Sequence, residues 1–390
     1  MRNYLKKLKW GRGCGTNLKS QILKFSNMIK KTFQKLKENP ELWQRYLVRE
    51  KVIDAIRAYF KQQNFHEVEV PLLLPTASTE PFLEVFKTEL VNDQDHKWDG
   101  FLPSSPEFAL KKLLSAGSGS IFTITKSFRN GEGRSSRHNP EFTILEWYHT
   151  PGDYMDVARD FEGLMRFISQ KVRPRRLQAE SEPTRSHLEG FKYQGKEYEL
   201  SSPWEKISVA EAFEKFAGID CETMLDEEKL KAKGIEKGYQ VNEKTTWEEI
   251  WNQILANEIE PKLGRSGPTI LYDYPVSQAA LSKKKASDPR FAERFEVFMA
   301  GFELGNCFSE LTDWKEQESR CISDLAERKM MGKTEFPMDR DFIEALKLGM
   351  PETGGIAVGV DRLVALFADT SDIADTLFFP VGEMFEYPVV

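Results

Sequence analysis

Three stretches of this sequence gather residues whose types can do chemistry. "RNGEGRSSRHNPEFTILEWY" (129–148) carries Arg129, Glu132, Arg137, His138, Asn139, Phe142, Glu146 and Tyr148 on and around two alternating runs joined by a polar loop. Two guanidinium groups near an aromatic ring suit a nucleotide, one gripping phosphate while the ring stacks on the base. On pattern alone a solvated charged hairpin fits equally well. "RFEVFMAGFELGNCFSELTD" (294–313) carries Glu296 and Glu303, which face opposite ways on an uninterrupted strand. A bulge at Ala300-Gly301 would bring them together, and such a pair near ATP can hold Mg²⁺ with substrate phosphates. Asn306 and Glu310 follow and can receive an ammonium group. The bland alternative is a solvated edge strand. "GMPETGGIAVGVDRLVALFA" (349–368) lets backbone approach a ligand closely, with Arg362 at the start of a helix and Asp361 as its cap. It is neither a Walker A loop nor a dinucleotide fingerprint.

These stretches need elements to hold them. Leu42 to Gln62 reads as a helix, and "FHEVEVPLLLP" as a strand stopped at Pro71. "GSIFTITKSFRN" and "EFTILEWY" alternate as two strands joined by a Gly/Ser/Asn/Pro loop. Residues 155–170 look helical, 173–202 like a charged surface insertion with the hairpin-like "FKYQGKEYEL", and 205–260 mainly helical. "TILYDYPV", "RFEVFMAGFELGNCF" and "GGIAVGVDRLVALFA" read as strand, long strand and strand-turn-helix. Long antiparallel strands with helices packed on them predict an α+β fold.

Composition narrows the function classes. The 390 residues are 40% hydrophobic and 30% charged, enough for one large domain with insertions or two domains. No run of about eighteen apolar residues predicts a membrane span, and the N-terminus lacks the apolar core and cleavage site of a signal peptide. Cys14, Cys221, Cys307 and Cys321 are scattered, which fits a reducing cytoplasm better than a disulfide framework or zinc ribbon. None of the five histidines forms an H-x-x-x-H pair, so any metal is expected on carboxylates. Residues 1–37 hold eleven of the 55 Lys/Arg and none of the 61 Asp/Glu, leaving 44 basic against 61 acidic residues, a net −17, for the rest. Such a body is a poor generic nucleic-acid binder. The arm places Leu18, Ile22, Phe25, Ile29, Phe33 and Leu36 at helical spacing opposite lysines. It reads as an amphipathic helix docked on the body or a poorly ordered extension, and alternatively as an RNA-contacting or membrane-surface helix.

Taken in order, the stretches resemble the three signature motifs of class II aminoacyl-tRNA synthetases, specifically the lysyl branch. "VEVPLLLP" resembles motif 1, "SFRNGEGRSSRHNPEFTILEWY" motif 2 and "GGIAVGVDRL" motif 3, and the similarity runs from Leu42 to Pro380. Lysyl-tRNA synthetases carry an N-terminal OB-fold domain that reads the anticodon. Only about forty residues precede the similar region here, as in the elongation factor P–lysine ligases, which attach lysine or β-lysine to a protein. "LPSSPEFALKKLLSAG" strengthens that likeness: lysyl-tRNA synthetases typically have Ala, and the protein ligases Ser, at the place of Ser105.

The resemblance implies a class II catalytic fold over 41–390, an antiparallel sheet flanked by helices, behind a basic extension, 1–40. It implies that Arg129 and Arg362 grip the α- and γ-phosphates of ATP, that Arg137, His138 and Asn139 lie beside the nucleotide, and that Phe142 stacks on adenine. Glu296 and Glu303 would bind Mg²⁺. Glu107, Glu146, Tyr148, Asn306 and Glu310 would line the amino-acid pocket, with Ser105 shaping it. Motif 2 of the family reads R-x-E; here Gly131 holds the third place, and Glu132 is expected to substitute through a shift in a longer loop. The implied reaction activates lysine or β-lysine as an adenylate and passes it to a lysine of elongation factor P. Two other readings remain: a minimal lysyl-tRNA synthetase using the arm on tRNA, and a non-catalytic paralogue. Motif 1 implies a homodimer.

Overall fold

The computed structural model describes residues 30–132, 135–172, 189–201 and 203–385. Twelve strands lie among them: β1 (His66–Glu67), β2 (Phe86–Val91), β3 (Lys97–Leu102), β4 (Ile121–Phe128), β5 (Glu141–His149), β6 (Gly190–Tyr193), β7 (Lys196–Glu199), β8 (Glu205–Ser208), β9 (Thr269–Pro275), β10 (Phe291–Met299), β11 (Phe302–Ser309) and β12 (Gly354–Gly359). Eight of them form one sheet in the order β1-β4-β5-β12-β11-β10-β9-β8. Inner pairings are antiparallel, and parallel contacts occur only at the edges, β1 with β4 and β8 with β9. The expected α+β class, a sheet flanked by helices, is the observed one. No helix among the described residues is long and apolar enough to cross a membrane.

Residues 294–308, expected as one long strand bulged at Ala300-Gly301, lie in a hairpin of β10 and β11 instead. Ala300 and Gly301 take φ of 54° and 83°, the left-handed pair whose twist suits a two-residue turn. A bulge does occur, one step further on. Val297 pairs with Gly305 and Phe298 with Glu303, so Leu304 is the extra residue.

Period-two alternation gives each inner strand two faces. Leu145, Trp147, Val297, Cys307 and Ile356 enter the main core beneath helices Trp43–Gln62, Tyr154–Val172 and Val360–Phe367. Helix Tyr154–Val172 belongs there because Val157, Phe161, Leu164 and Ile168 recur on one stripe. Each such side chain removed from water contributes about 1.5–3 kcal/mol. Hairpin β6–β7 sends Phe191, Tyr193 and Tyr198 into the same core; the rest of the 173–202 insertion, residues 173–188 and 202, lies outside the described residues. Over the β9 edge, the 205–260 region begins with β8 and continues as helices around Phe213 and Trp251.

The opposite face of the sheet is only partly covered. Helices Glu107–Ser115 and Arg340–Gly349 meet there through Phe108 and Phe342, stacked at 4.2 Å. Helix Trp314–Met330 forms a wall, and a cavity remains between it and the strands.

Strand β1 is shorter than "FHEVEVPLLLP" implies, although Val68 N still donates to Phe122 O at 2.9 Å. Of the amphipathic arm, Phe33 and Leu36 fall on helix Thr32–Glu38, where Leu36 is buried and Phe33 exposed. Its start is tied to the far end of the chain, Thr32 N and Oγ1 donating to Glu383 at 2.7 and 2.9 Å. Cys14, Leu18, Ile22, Phe25 and Ile29 lie outside the described residues.

Candidate active site

Strand register lays out the site. Glu146, Ala357, Asn306 and Glu296 are consecutive cross-strand partners on β5, β12, β11 and β10; Tyr148, Gly355, Phe308 and Arg294 form the next row. All but Glu296, which lies behind Arg294, line the cavity, whose volume is about 780 Å³. Small residues on β12 make its floor. A Cβ on Gly355 would overlap Glu310 Oε1 and Tyr148 Cε1, so only glycine lets those two side chains converge.

One end of the cavity is acidic and buried. Tyr148 OH donates to Glu146 Oε1 at 2.7 Å and Ser105 Oγ donates to Oε2 at 2.8 Å. Burial, and after it the Glu107 charge, pushes the Glu146 carboxyl up to about 8 against the pull of both hydroxyls. Beside it, Lys111 Nζ lies 2.5 Å from both Glu107 Oε1 and Glu310 Oε2. Burial opposes the Lys111 ammonium, but the two carboxylates prevail and hold its pKa above the ordinary value. Burial raises the Glu310 carboxyl even so. Three carboxyl groups around one ammonium leave room at this end for an ammonium-bearing ligand.

The other end is built of guanidinium groups. Arg129 closes the β4–β5 loop, its N–H donating to Pro140 O at 2.9 Å. Its guanidinium lies 5.4 Å from the Phe142 ring centroid and 3.5 Å from Glu132. Arg129 Nε is buried with no partner among the described residues, a donor whose isolation costs about 1–3 kcal/mol until a ligand oxygen accepts from it. Arg362, on helix Val360–Phe367, donates to Glu303 O at 2.6 Å and lies 3.2 Å from its carboxylate. Its other nitrogen faces His138 Nε2 at 3.1 Å. Burial, then the Arg362 charge, holds the His138 pKa below its usual value, so Nε2 accepts while Nδ1–H points to Ser135 Oγ, 2.8 Å away. Arg137 lies over Phe302 at 5.1 Å. Asn139 lines the cavity, yet its amide serves the fold, donating to Glu141 O at 2.6 Å and accepting from Val381 N at 3.1 Å.

Glu296 and Glu303 do share a face, through the hairpin and the Leu304 bulge. Burial raises the Glu296 carboxyl; Arg294, 2.7 Å away, opposes this and Glu303 adds to it. A divalent cation would relieve that repulsion. No group of three or more metal-ligating side chains occurs among the described residues, so the donor set suits Mg²⁺ shared with phosphate oxygens.

Asp361 does not cap its helix. Gly359 holds the N-cap, and the Asp361 carboxylate accepts from Thr143 N at 2.9 Å and pairs with Arg49, a contact no local pattern foretells. Among the charged residues not anticipated are Lys111, buried beside the cavity, and Arg294 and Asp324, which line it. Lys111 stands four residues after Glu107 on one helix face, a spacing that does carry the signal. Arg294 precedes Glu296 by two on β10 and binds Asn306 Oδ1 at 3.1 Å. Asp324 comes from a helix distant in sequence.

Comparison with known proteins places this geometry. A family model of class II tRNA synthetases (D, K and N) matches residues 26–383. The lysine–tRNA ligase of Carboxydothermus hydrogenoformans is 36% identical over 346 residues, 88% of this chain and 66% of the relative. Those of Staphylococcus saprophyticus and Campylobacter jejuni are 35% and 34% identical over 345 residues each, again 88% of this chain, and 65% and 64% of their own lengths. The chain thus spans just under two thirds of the length of these curated relatives.

Proposed function

The chain belongs to the class II tRNA synthetase family (D, K and N), and on that premise we propose that it activates lysine or β-lysine with ATP and transfers it to a lysine side chain of elongation factor P. The observation that carries the reading is one cavity holding both constellations: Glu146 with Tyr148 and Ser105, and Glu107–Lys111–Glu310, opposite Arg129 and Arg362. Carboxylates at one end suit two ammonium groups, and guanidiniums at the other suit phosphates.

In the first step the amino-acid carboxylate attacks the α-phosphorus of ATP and pyrophosphate leaves. Arg129 and Arg362 bind the phosphate oxygens on which charge accumulates, with Arg137, His138 and Glu132 around the nucleotide and Phe142 against the base. Glu296 and Glu303 are the residues that would hold Mg²⁺, which would supply further charge neutralisation. No side-chain nucleophile is required, because positioning and electrostatics suffice. In the second step an acceptor amine displaces AMP and an amide forms. A non-catalytic paralogue has no need to retain Arg129, Arg362, Glu296 and Glu303 together.

An amine rather than tRNA is favoured by the cavity wall. Helix Trp314–Met330 lines it with Glu316, Asp324 and Glu327; Arg320 and Lys284 pair with Glu316, which leaves Asp324 and Glu327 to attract a lysine. The names of the relatives favour the second reading, the charging of tRNA. A homodimer belongs to the same proposal, supported by exposed Leu72, Leu73, Leu90, Val91 and Trp98 on and before hairpin β2–β3, as does the division into an extension, 1–40, and a catalytic domain, 41–390.

The test is ATP–pyrophosphate exchange with lysine, β-lysine and other amino acids, then transfer of label to elongation factor P or tRNA. Label on the protein is expected. Label only on tRNA would make this a tRNA ligase, and no exchange with any amino acid would favour the paralogue.

A further inference from the structure

The proposed second step poses a problem the residues above do not solve. A lysine acceptor with a pKa of about 10.4 is neutral in only about one molecule in 2,500 at pH 7. Its ammonium must lose a proton before nitrogen can attack. Glu146 is engaged by two hydroxyls, Glu107 and Glu310 share Lys111, and Glu296 and Glu303 face arginines.

Asp324 is placed differently. It lies on the cavity-facing side of helix Trp314–Met330, half-buried, and accepts from Thr79 Oγ1 at 3.1 Å. No lysine or arginine among the described residues lies within 4 Å of it. Arg320, which shares its helix, is committed to Glu316 at 2.6 Å and to the Ala280 and Ser282 carbonyls.

The segment Asp324 contacts is held rigidly at a junction. Arg328, from the same helix, donates to Glu80 O at 2.7 Å and to Leu83 O, and reaches Thr334 O at 3.1 Å. Ser78, on the other side of Thr79, meets Ser104 at 2.9 Å, next to Ser105. Glu80 in turn feels the charges of Arg129, Glu107, Asp324 and Arg294. Thr79 and Glu80 therefore line the cavity within reach of charges from both ends, and Asp324 lines it beside Thr79.

We propose that Asp324 receives the ammonium of the acceptor lysine in this cavity and takes its proton, making it a catalytic residue of the transfer step. The proposal rests on the amine-acceptor reading above. One N–H proton passes to the Asp324 carboxylate. The freed nitrogen forms a bond to the aminoacyl carbonyl carbon, and the C–O bond to AMP breaks with its electron pair leaving on the phosphate. The departing phosphate carries away the second nitrogen proton.

The electrostatics agree. Burial raises the Asp324 carboxyl to about 6, with Glu327 adding and Thr79 and Arg320 opposing. Glu80, on the facing segment, and Cys321, on the same helix, are the remaining titratable groups against it. At pH 7 Asp324 is mostly ionised yet close enough to neutrality to accept a proton, the condition under which a general base works best.

The test uses enzyme-bound lysyl-adenylate in single turnover against three nucleophiles: elongation factor P, Nα-acetyl-lysine methylamide, and hydroxylamine, which is already neutral at pH 7. Wild-type transfer to the two lysine amines should rise with pH through about 6. D324N should slow it by about 100-fold at pH 7 and abolish the rise centred near 6, leaving only the steady increase of the free-amine fraction, while slowing hydroxylamine far less. T79V, which removes the hydrogen bond that lowers the Asp324 pKa, should move the rise to higher pH, and it tests the assignment even if D324N folds poorly. A wild-type rate and pH profile in D324N, equal losses on all three nucleophiles, an unmoved profile in T79V, or loss of the rise in E80Q instead would each overturn it. Wild-type adenylate that reaches no lysine amine would overturn the amine-acceptor reading, and this assignment with it, before any variant is made.

Discussion

The two ends of the cavity answer opposite electrostatic problems. At the amino-acid end the acids are buried and mostly partnered: two hydroxyls hold Glu146, and Lys111 lies between Glu107 and Glu310, although Glu310 Oε2 makes no well-formed hydrogen bond. At the phosphate end the charges are left wanting. Arg129 Nε has no acceptor among the described residues, and Arg362 borrows Glu303 and His138. The first end is assembled in the empty protein, while the second is completed by its ligand. Location explains the contrast. The acids sit on strands and a helix where they are almost wholly buried, so unpaired charge there would be very costly; the arginines sit near a loop and a helix start, where phosphate oxygens of a ligand can reach them.

If the acidic end is self-satisfied, breaking it should damage folding first. K111M should cost about 3–5 kcal/mol in urea unfolding at pH 7, because two buried carboxylates lose their shared cation. The loss should shrink toward pH 5, where the Glu310 carboxyl, raised by burial, takes up its proton. An equally large loss at both pH values would mean that packing, not charge, carries the effect.

The phosphate end should fail in chemistry instead. R129A should lower lysine-dependent ATP–pyrophosphate exchange by about 10²–10³-fold, with little change in the urea midpoint. A large drop in stability would show that Arg129 is structural and that the contrast between the ends is false.

A calorimetric titration sharpens the same point. Glu146 is protonated at pH 7 when the site is empty, its carboxyl raised to about 8. An arriving ammonium stabilises the carboxylate and lowers that pKa, so lysine binding should release up to about one proton. The binding enthalpy should then vary with the ionisation enthalpy of the buffer, and a buffer-independent enthalpy would contradict a neutral Glu146. The smallest effect is expected from S105A, which removes one hydroxyl donor worth about 0.5–1.5 kcal/mol, up to roughly tenfold in the KM for the amino acid. A change in kcat alone would place Ser105 in the transition state rather than in the pocket.

Much of this site was legible because its chemistry is written in residue types on regular strands. Alternation in "EFTILEWYH" assigns Glu146 and Tyr148 to one face and Leu145 and Trp147 to the other, and the structure keeps that division. The misreadings occur where backbone geometry or distant contacts decide. Ala300 adopts a left-handed conformation that alanine rarely takes, so a turn was read as a bulge. Asp361 looked like a cap because local sequence shows no trace of Arg49 or Thr143.

By itself the sequence determined the α+β class, the three chemical stretches and most of the charged side chains, since periodicity and residue type act locally. Tertiary structure alone decided which acids are neutral, which arginine is left without an acceptor, that Lys111 serves two carboxylates, and that Asp324 faces the same cavity. Those properties depend on burial and on charges brought together from separate elements, and both exist only once the sheet and its helices have closed around the cavity.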